Sequence, residues 1–242
     1  MYKSENLHIT TESKISTVVL NNHYLLLLLE HFDMVDPLQE KTVRDVCSEN
    51  NINPDLFITF ANLYNYIPLT FTGPFSHNDT LSIINYLKNN HRYYSEEIYP
   101  DILDTIKQMS HADTSKEMAL VEKFFNEYFS EVTEHLNYEN NTVFPYIIGL
   151  YEKISNLNQP ADNKKYSVSE YKDHHNDIEE KLNDLKNLLI KYLPRQNDQT
   201  LRRKLLFSLF ELEYDLNIHS QIEDYILIPL VATMELQLKG FS

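Results

Sequence analysis

The sequence predicts an all-α protein: an up-down-up-down four-helix bundle preceded by a small helical N-terminal domain. Three observations lead there. The 242 residues include only 3 Gly and 9 Pro among long runs of Leu, Ile, Tyr, Glu and Lys, a composition that favours helix. Apolar residues recur at helical rather than strand spacing, with start and stop signals at the ends of four long segments. A pattern of two histidines and a glutamate occurs twice with identical spacing, as two helical hairpins facing each other would require.

Residues 1–72 read as the small N-terminal domain. Ser16–Phe32 reads as one helix, apolar on most sides at its centre. Lys41–Asn50 and Pro54–Tyr64 read as two shorter ones, each marked by a proline signal. The five leucines from Leu25 to Leu29 are far short of the ~20 apolar residues of a membrane span. They read as a packing face, with a homodimer contact through this region as the alternative. Ile67–Pro74, holding Pro68, Gly73 and Pro74, reads as a linker.

Residues 73–242 read as the bundle. Ser76 and Asp79 signal the start of the first helix, which runs to about Met109. Thr114-x-x-Glu117 is a capping box opening the second, which reaches about Ile154. Ser155–Asn163 is a loop. Ser167-x-x-Glu170 opens the third helix, which ends near Leu193-Pro194. The fourth starts after Asp198 and runs to about Lys239, ahead of Gly240. Pro100, Pro145 and Pro229 fall inside these helices and are expected to bend or end them locally.

The repeated pattern carries the chemistry. His91 is followed 44 residues later by His135 and then Glu139; His175 is followed 44 residues later by His219 and then Glu223. Residues i and i+4 share a helix face, so each His-x-x-x-Glu presents an imidazole and a carboxylate together. A lone pair of this kind is more often a surface contact; the matched duplication argues for metal ligands instead. Rising ~1.5 Å per residue, the legs from each first histidine to its turn and back to the second are nearly equal. The six side chains then meet at one height across four helices. Imidazole with carboxylate suits iron or manganese rather than copper(I). His174 and His175 are adjacent and cannot both face inward. His175 is favoured because Ile178, Leu182 and Leu185 follow it on one stripe, whereas the stripe from His174 would bring Lys181 inward.

Other residues stay open between two roles. Glu131 and Asp215 each precede a pattern histidine by four residues, and either orient an imidazole or lie on a solvated face. Tyr171 and Tyr214 either pack or donate to ligands. His77 and His111 read as solvated, and His8, His23 and His31 show no ligand spacing. Cys47, the single cysteine, reads as a small core residue and excludes an internal disulfide or a cysteine-held cluster. The net charge of −15 argues against a nucleic-acid partner. The polar first residues and the absence of a long apolar run lead to the expectation of a cytoplasmic chain with no membrane partner.

Four stretches resemble the hemerythrin-like superfamily, and within it the branch that repairs iron centres. They are Ile83-Ile84-Asn85-Tyr86-Leu87 before His91; His135 through Glu139 to Pro145; Asp173-His174-His175; and His219-Ser-Gln-Ile-Glu223 with Pro229. The resemblance covers about residues 74–238. It implies two iron ions joined by an oxo or hydroxo bridge, with manganese or zinc as substitutes, held by His91, His135, Glu139, His175, His219 and Glu223. One position on each iron would be left for O2, NO, peroxide or water. It further implies repair of iron–sulfur proteins damaged by nitrosative or oxidative stress, with O2 or NO sensing through a protein partner as the alternative. Residues 16–66 are similar, more weakly, to the N-terminal domain of that branch. The cysteine pair expected there is missing from Asp33-Met-Val-Asp36-Pro37-Leu38, which puts any thiol-dependent iron handling in doubt.

Overall fold

The computed structural model describes residues 8–69, 75–155, 167–174, 178–191 and 199–240. Twelve α-helices account for most of them: α1 Ile15–Asn21, α2 Leu25–His31, α3 Val43–Glu49, α4 Pro54–Tyr64, α5 Thr80–Tyr93, α6 Tyr99–Ala112, α7 Lys116–Tyr138, α8 Phe144–Ser155, α9 Val168–His174, α10 Ile178–Lys191, α11 Gln199–Ile222 and α12 Ile228–Gly240. Among the described residues there is no strand, only an isolated bridge between Lys14 and Thr42. The protein is all-α, as the composition predicts. Four expectations lie outside the described residues: residues 70–74 of the linker, the loop from 156 with Pro160, His175, and the helix end at Pro194.

The stretch expected to be one helix from Ser16 to Phe32 is two. Asn22 adopts an extended backbone (φ −141°, ψ 101°) and closes α1. Its side chain explains the break: the amide donates to the Tyr64 carbonyl, and Oδ1 accepts from the Tyr24 backbone at 3.2 Å. Asparagine competes in this way with helical hydrogen bonding. Other ends follow their signals. Thr42 and Asp45 form a capping box on α3, Pro54 opens α4, and Ser76 with Asp79 caps a short 3-10 turn leading into α5. The box expected at Thr114 is replaced by Ser115, whose hydroxyl accepts from the Met118 backbone while Asp113 accepts from Ser115.

Pro100, Pro145 and Pro229 neither end nor break their helices. Each sits two residues beyond a π-helical turn: Tyr94–Ile98, Glu139–Val143 and Glu223–Leu227. In each, the residue before the proline donates its backbone N–H five positions back: Tyr99 to Tyr94, Phe144 to Glu139, Ile228 to Glu223. Proline lacks an N–H and clashes with the carbonyl four residues earlier. A turn widened by one residue removes that conflict, so helix continues on both sides.

Two compact units divide the chain: Met1–Asn89, Tyr146–Val168 and Ser220–Ser242 form one, Asn90–Pro145 and Ser169–His219 the other. In the first, four of the five leucines of the 25–29 run are buried, Leu26 being the exception, as a packing face requires. Phe32, Phe57, Phe60 and Tyr86 pack as an aromatic cluster, and the hydroxyls of Tyr64 and Tyr86 meet at 2.9 Å. His31 is buried edge-on to the Tyr86 ring. Cys47 is fully buried, and burial pushes its thiol up to about 12, the behaviour of a core residue.

In the second unit, α6, α7, α10 and α11 line one apolar core. The stripes are regular. Met118, Val121, Phe125, Tyr128 and Val132 run down α7; Leu182, Leu185 and Leu189 face inward on α10; Leu205, Leu209, Leu212 and Leu216 run down α11. The 3-4 alternation continues past Val132 to Glu139 and past Leu216 to His219 and Glu223, so the buried faces of α7 and α11 lead directly into the repeated pattern.

Candidate metal centre

His91 lies in the last turn of α5, His135 in the last turn of α7 and His219 in the last turn of α11. Glu139 and Glu223 occupy equivalent places, each the first residue of a π turn. His91, Glu139, His219 and Glu223 are all buried, both glutamates completely. The His135 side chain is 12% exposed.

In the second unit, four of the predicted residues come together. One donor atom from each of His91, Glu139 and His219 lies within 4.8 Å of the others. The two oxygens of Glu139 face different histidines: Oε2 is 3.3 Å from His91 Nε2, and Oε1 is 3.4 Å from His135 Nε2. The rings of His91 and His219 are 5.1 Å apart. Glu223, completely buried, belongs to the first unit. His174 ends α9, and His175 lies outside the described residues.

Two asparagines set the orientation of the imidazoles, and neither was singled out in the sequence. Asn140 Oδ1 is 3.1 Å from His91 Nδ1, and Asn90 Oδ1 is 3.3 Å from His219 Nδ1. An amide oxygen only accepts, so each contact puts the proton on Nδ1. In the neutral ring Nε2 then carries the lone pair. Metal-binding histidines are commonly held by such a partner on the other nitrogen. Adjacency was the available signal: Asn140 follows Glu139 and Asn90 precedes His91. Phe144 stacks on His91 at 5.3 Å and makes that side of the group apolar.

This donor set fits a metal ion. Glu139 Oε2 and His91 Nε2, two acceptors facing each other at 3.3 Å in a dry interior, repel unless a proton or a cation lies between them. With metal–ligand bonds of about 2.1 Å, neighbouring donors stand about 3 Å apart and opposite donors about 4.2 Å apart. The observed separations need only contract by a few tenths of an ångström. The donors are imidazole and carboxylate without sulfur, which suits iron, manganese or zinc.

The surroundings of the two His-x-x-x-Glu segments differ. Glu131, one turn before His135, is exposed and paired with Lys181, as its solvated reading holds. Asp215, at the matching place before His219, is fully buried and accepts from the Tyr94 hydroxyl at 2.7 Å, so the solvated reading fails there. Tyr94, unremarked in the sequence, also meets the His219 ring edge-on at 5.8 Å. Its signal was its place three residues after His91, on the same helix face. Tyr171 is buried and Tyr214 half-buried.

No family model, curated protein or solved structure matches the chain. Among the described residues, no helix is long and apolar enough to cross a membrane.

Proposed function

We propose that the chain is a hemerythrin-like non-haem di-iron protein acting in the cytoplasm on iron–sulfur clusters damaged by nitrosative or oxidative stress. In this reading its long helices form an up-down-up-down four-helix bundle. His91, His135, Glu139, His175, His219 and Glu223 hold the metals, with manganese or zinc as substitutes. The observation that carries the reading is the placement of Glu139, one oxygen toward His91 and the other toward His135. A carboxylate so placed can serve two ions at once, as inward carboxylates do in other helical dimetal sites.

When bound, iron would supply one-electron chemistry and a binding position for O2, NO or peroxide. The protein's own residues do the rest. Asn140 and Asn90 hold His91 and His219 with Nε2 turned to the centre. Phe144 and the buried stripes keep water from that side. The 12% exposure at His135 leaves an approach from solvent, through which a small ligand or an exchanging ion could pass. Without thiolate, the donor set suits release of iron to a client as well as its retention.

Iron per chain, measured after production in iron-replete cells, tests this. About two irons are expected for a carboxylate-bridged pair. His135→Ala and His219→Ala should both lower that content sharply while far-UV circular dichroism stays helical. A parent that remains metal-free after anaerobic ferrous loading would overturn the proposal. A metal-loaded parent that fails to reactivate a peroxide-damaged iron–sulfur dehydratase would overturn the repair part alone.

A second reading is supported by one feature. The 33–38 stretch lacks cysteine, and Cys47, the chain's single thiol, is buried and held protonated. Reversible O2 or NO binding with no iron transfer, signalled to a protein partner through the N-terminal helices, would suit a chain with no reactive thiol.

A further inference from the structure

Two adjacent tyrosines lead away from His219, and each is held by a carboxylate. Tyr94 is fully buried and donates to Asp215 Oδ2 at 2.7 Å; half-buried Tyr93 donates to Glu211 Oε1, also at 2.7 Å. The two rings are 5.8 Å apart, and Tyr94 is 5.8 Å from the His219 ring. Glu211, Asp215 and His219 follow one another at intervals of four on α11, one face of one helix. The line runs from the buried imidazole to a partly exposed phenol.

A bland reading exists, because buried tyrosine hydroxyls usually find an acceptor. Packing would be served equally by an amide, without the cost of burying a carboxylate. A carboxylate is needed where the phenol must lose its proton, since a phenol gives up an electron readily only if a base within hydrogen-bond reach takes the proton. Finding that base twice, on successive residues in ring contact, points beyond packing.

The geometry points to a two-step tyrosine relay that carries oxidising equivalents from the His219 side of the centre to the surface. It rests on the iron reading above. The oxidant is iron at the centre after reaction with a peroxide. In the first step Tyr94 loses one electron to that oxidant and its hydroxyl proton to Asp215, leaving a neutral phenoxyl radical and a carboxylic acid. In the second, Tyr93 gives an electron to the Tyr94 radical and its own proton to Glu211, while Asp215 returns its proton to Tyr94. A soluble one-electron reductant such as ascorbate then reduces the Tyr93 radical, and Glu211 returns the proton. The relay would discharge the centre without oxidising its ligands.

Two arms test this, so that failure of the iron reading and failure of the relay look different. In the first, protein loaded anaerobically with ferrous iron is assayed for iron, treated with hydrogen peroxide, frozen and examined by electron paramagnetic resonance. A tyrosyl signal is expected in the parent and is lost in Tyr94→Phe at equal iron content. Tyr93→Phe keeps the signal, but ascorbate removes it at least about tenfold more slowly. An unchanged signal in Tyr94→Phe overturns the relay. In the second arm, metal-free protein carries a ruthenium tris-bipyridine photo-oxidant tethered through Arg92→Cys in a Cys47→Ala background. A flash-generated radical that ascorbate removes at least about tenfold faster in the parent than in Tyr93→Phe places the exit on the half-buried ring; equal lifetimes overturn the relay whether or not iron binds.

Discussion

The segments 135–145 and 219–229 carry the same arrangement: histidine, glutamate four residues on, a π turn beginning at that glutamate, and proline six residues after it. Around the histidines they part. His135 is open to solvent on one side, and the acid one turn before it pairs with a lysine at the surface. His219 is buried, and the acid one turn before it holds a buried phenol. The repeat thus fixes the local helix geometry, a π turn opening at each glutamate, and leaves the surroundings of each histidine free to diverge. One half gives access, and the other manages charge in a dry interior.

The glutamates separate the two halves most strongly. Under the proposed di-iron reading, Glu139→Gln and Glu223→Gln should each remove most of the bound iron, since an amide cannot give an anionic oxygen to two ions. Retention of full iron by either variant would show that its half is not part of the site. Glu139→Gln should also raise the melting temperature of the metal-free protein, because its amide can donate to His91 Nε2 where the carboxylate presents a second acceptor, at an expected gain of roughly 1–3 kcal/mol. A lowered temperature would mean that the metal-free pocket depends on that charge.

Next in size are the asparagines. Asn140→Ala and Asn90→Ala should weaken iron binding about 10–100-fold in chelator competition, the usual cost of losing a partner that orients a ligand. Equal losses would show that both histidines need orienting; no loss at either position would remove these residues from the centre.

The acids give the smaller effects and the clearest contrast. Asp215→Ala leaves the buried Tyr94 hydroxyl without this acceptor and should cost about 1–3 kcal/mol in urea unfolding of the metal-free protein. Glu131→Ala, which loses an exposed pair, should cost under about 1 kcal/mol. Similar values would dissolve the distinction between the open and the closed half.

Much of this was legible in the chain, and the rest was hidden for physical reasons. Pro54, Ser76 with Asp79, and the 3-4 stripes are local signals, and they located helix ends and inward faces. The matched 44-residue separations brought His91, His135, Glu139 and His219 to attention. Asn22 misled because its helix-breaking bond goes to the Tyr64 carbonyl, 42 residues away. Asp215 misled because the partner that makes its burial tolerable, Tyr94, is 121 residues away. The prolines marked local irregularities but not their kind, because steric conflict with a carbonyl has two remedies, a break or a wider turn, and sequence alone does not choose between them.

The π turns bear on how such a chain could change over time. Each holds one residue more than an ordinary helical turn, so each behaves as a single-residue insertion absorbed without loss of helix. Deleting one residue there, Asn141 or Tyr225 for example, would restore a plain helix and rotate everything beyond it by about 100°. The side chains on either side of the deletion would no longer share a face, so the proline and the buried residues beyond it would have to change along with it. Sequences descended from a common ancestor could therefore differ by a one-residue gap at these points, and a comparison that forbids gaps inside helices would pair the wrong residues.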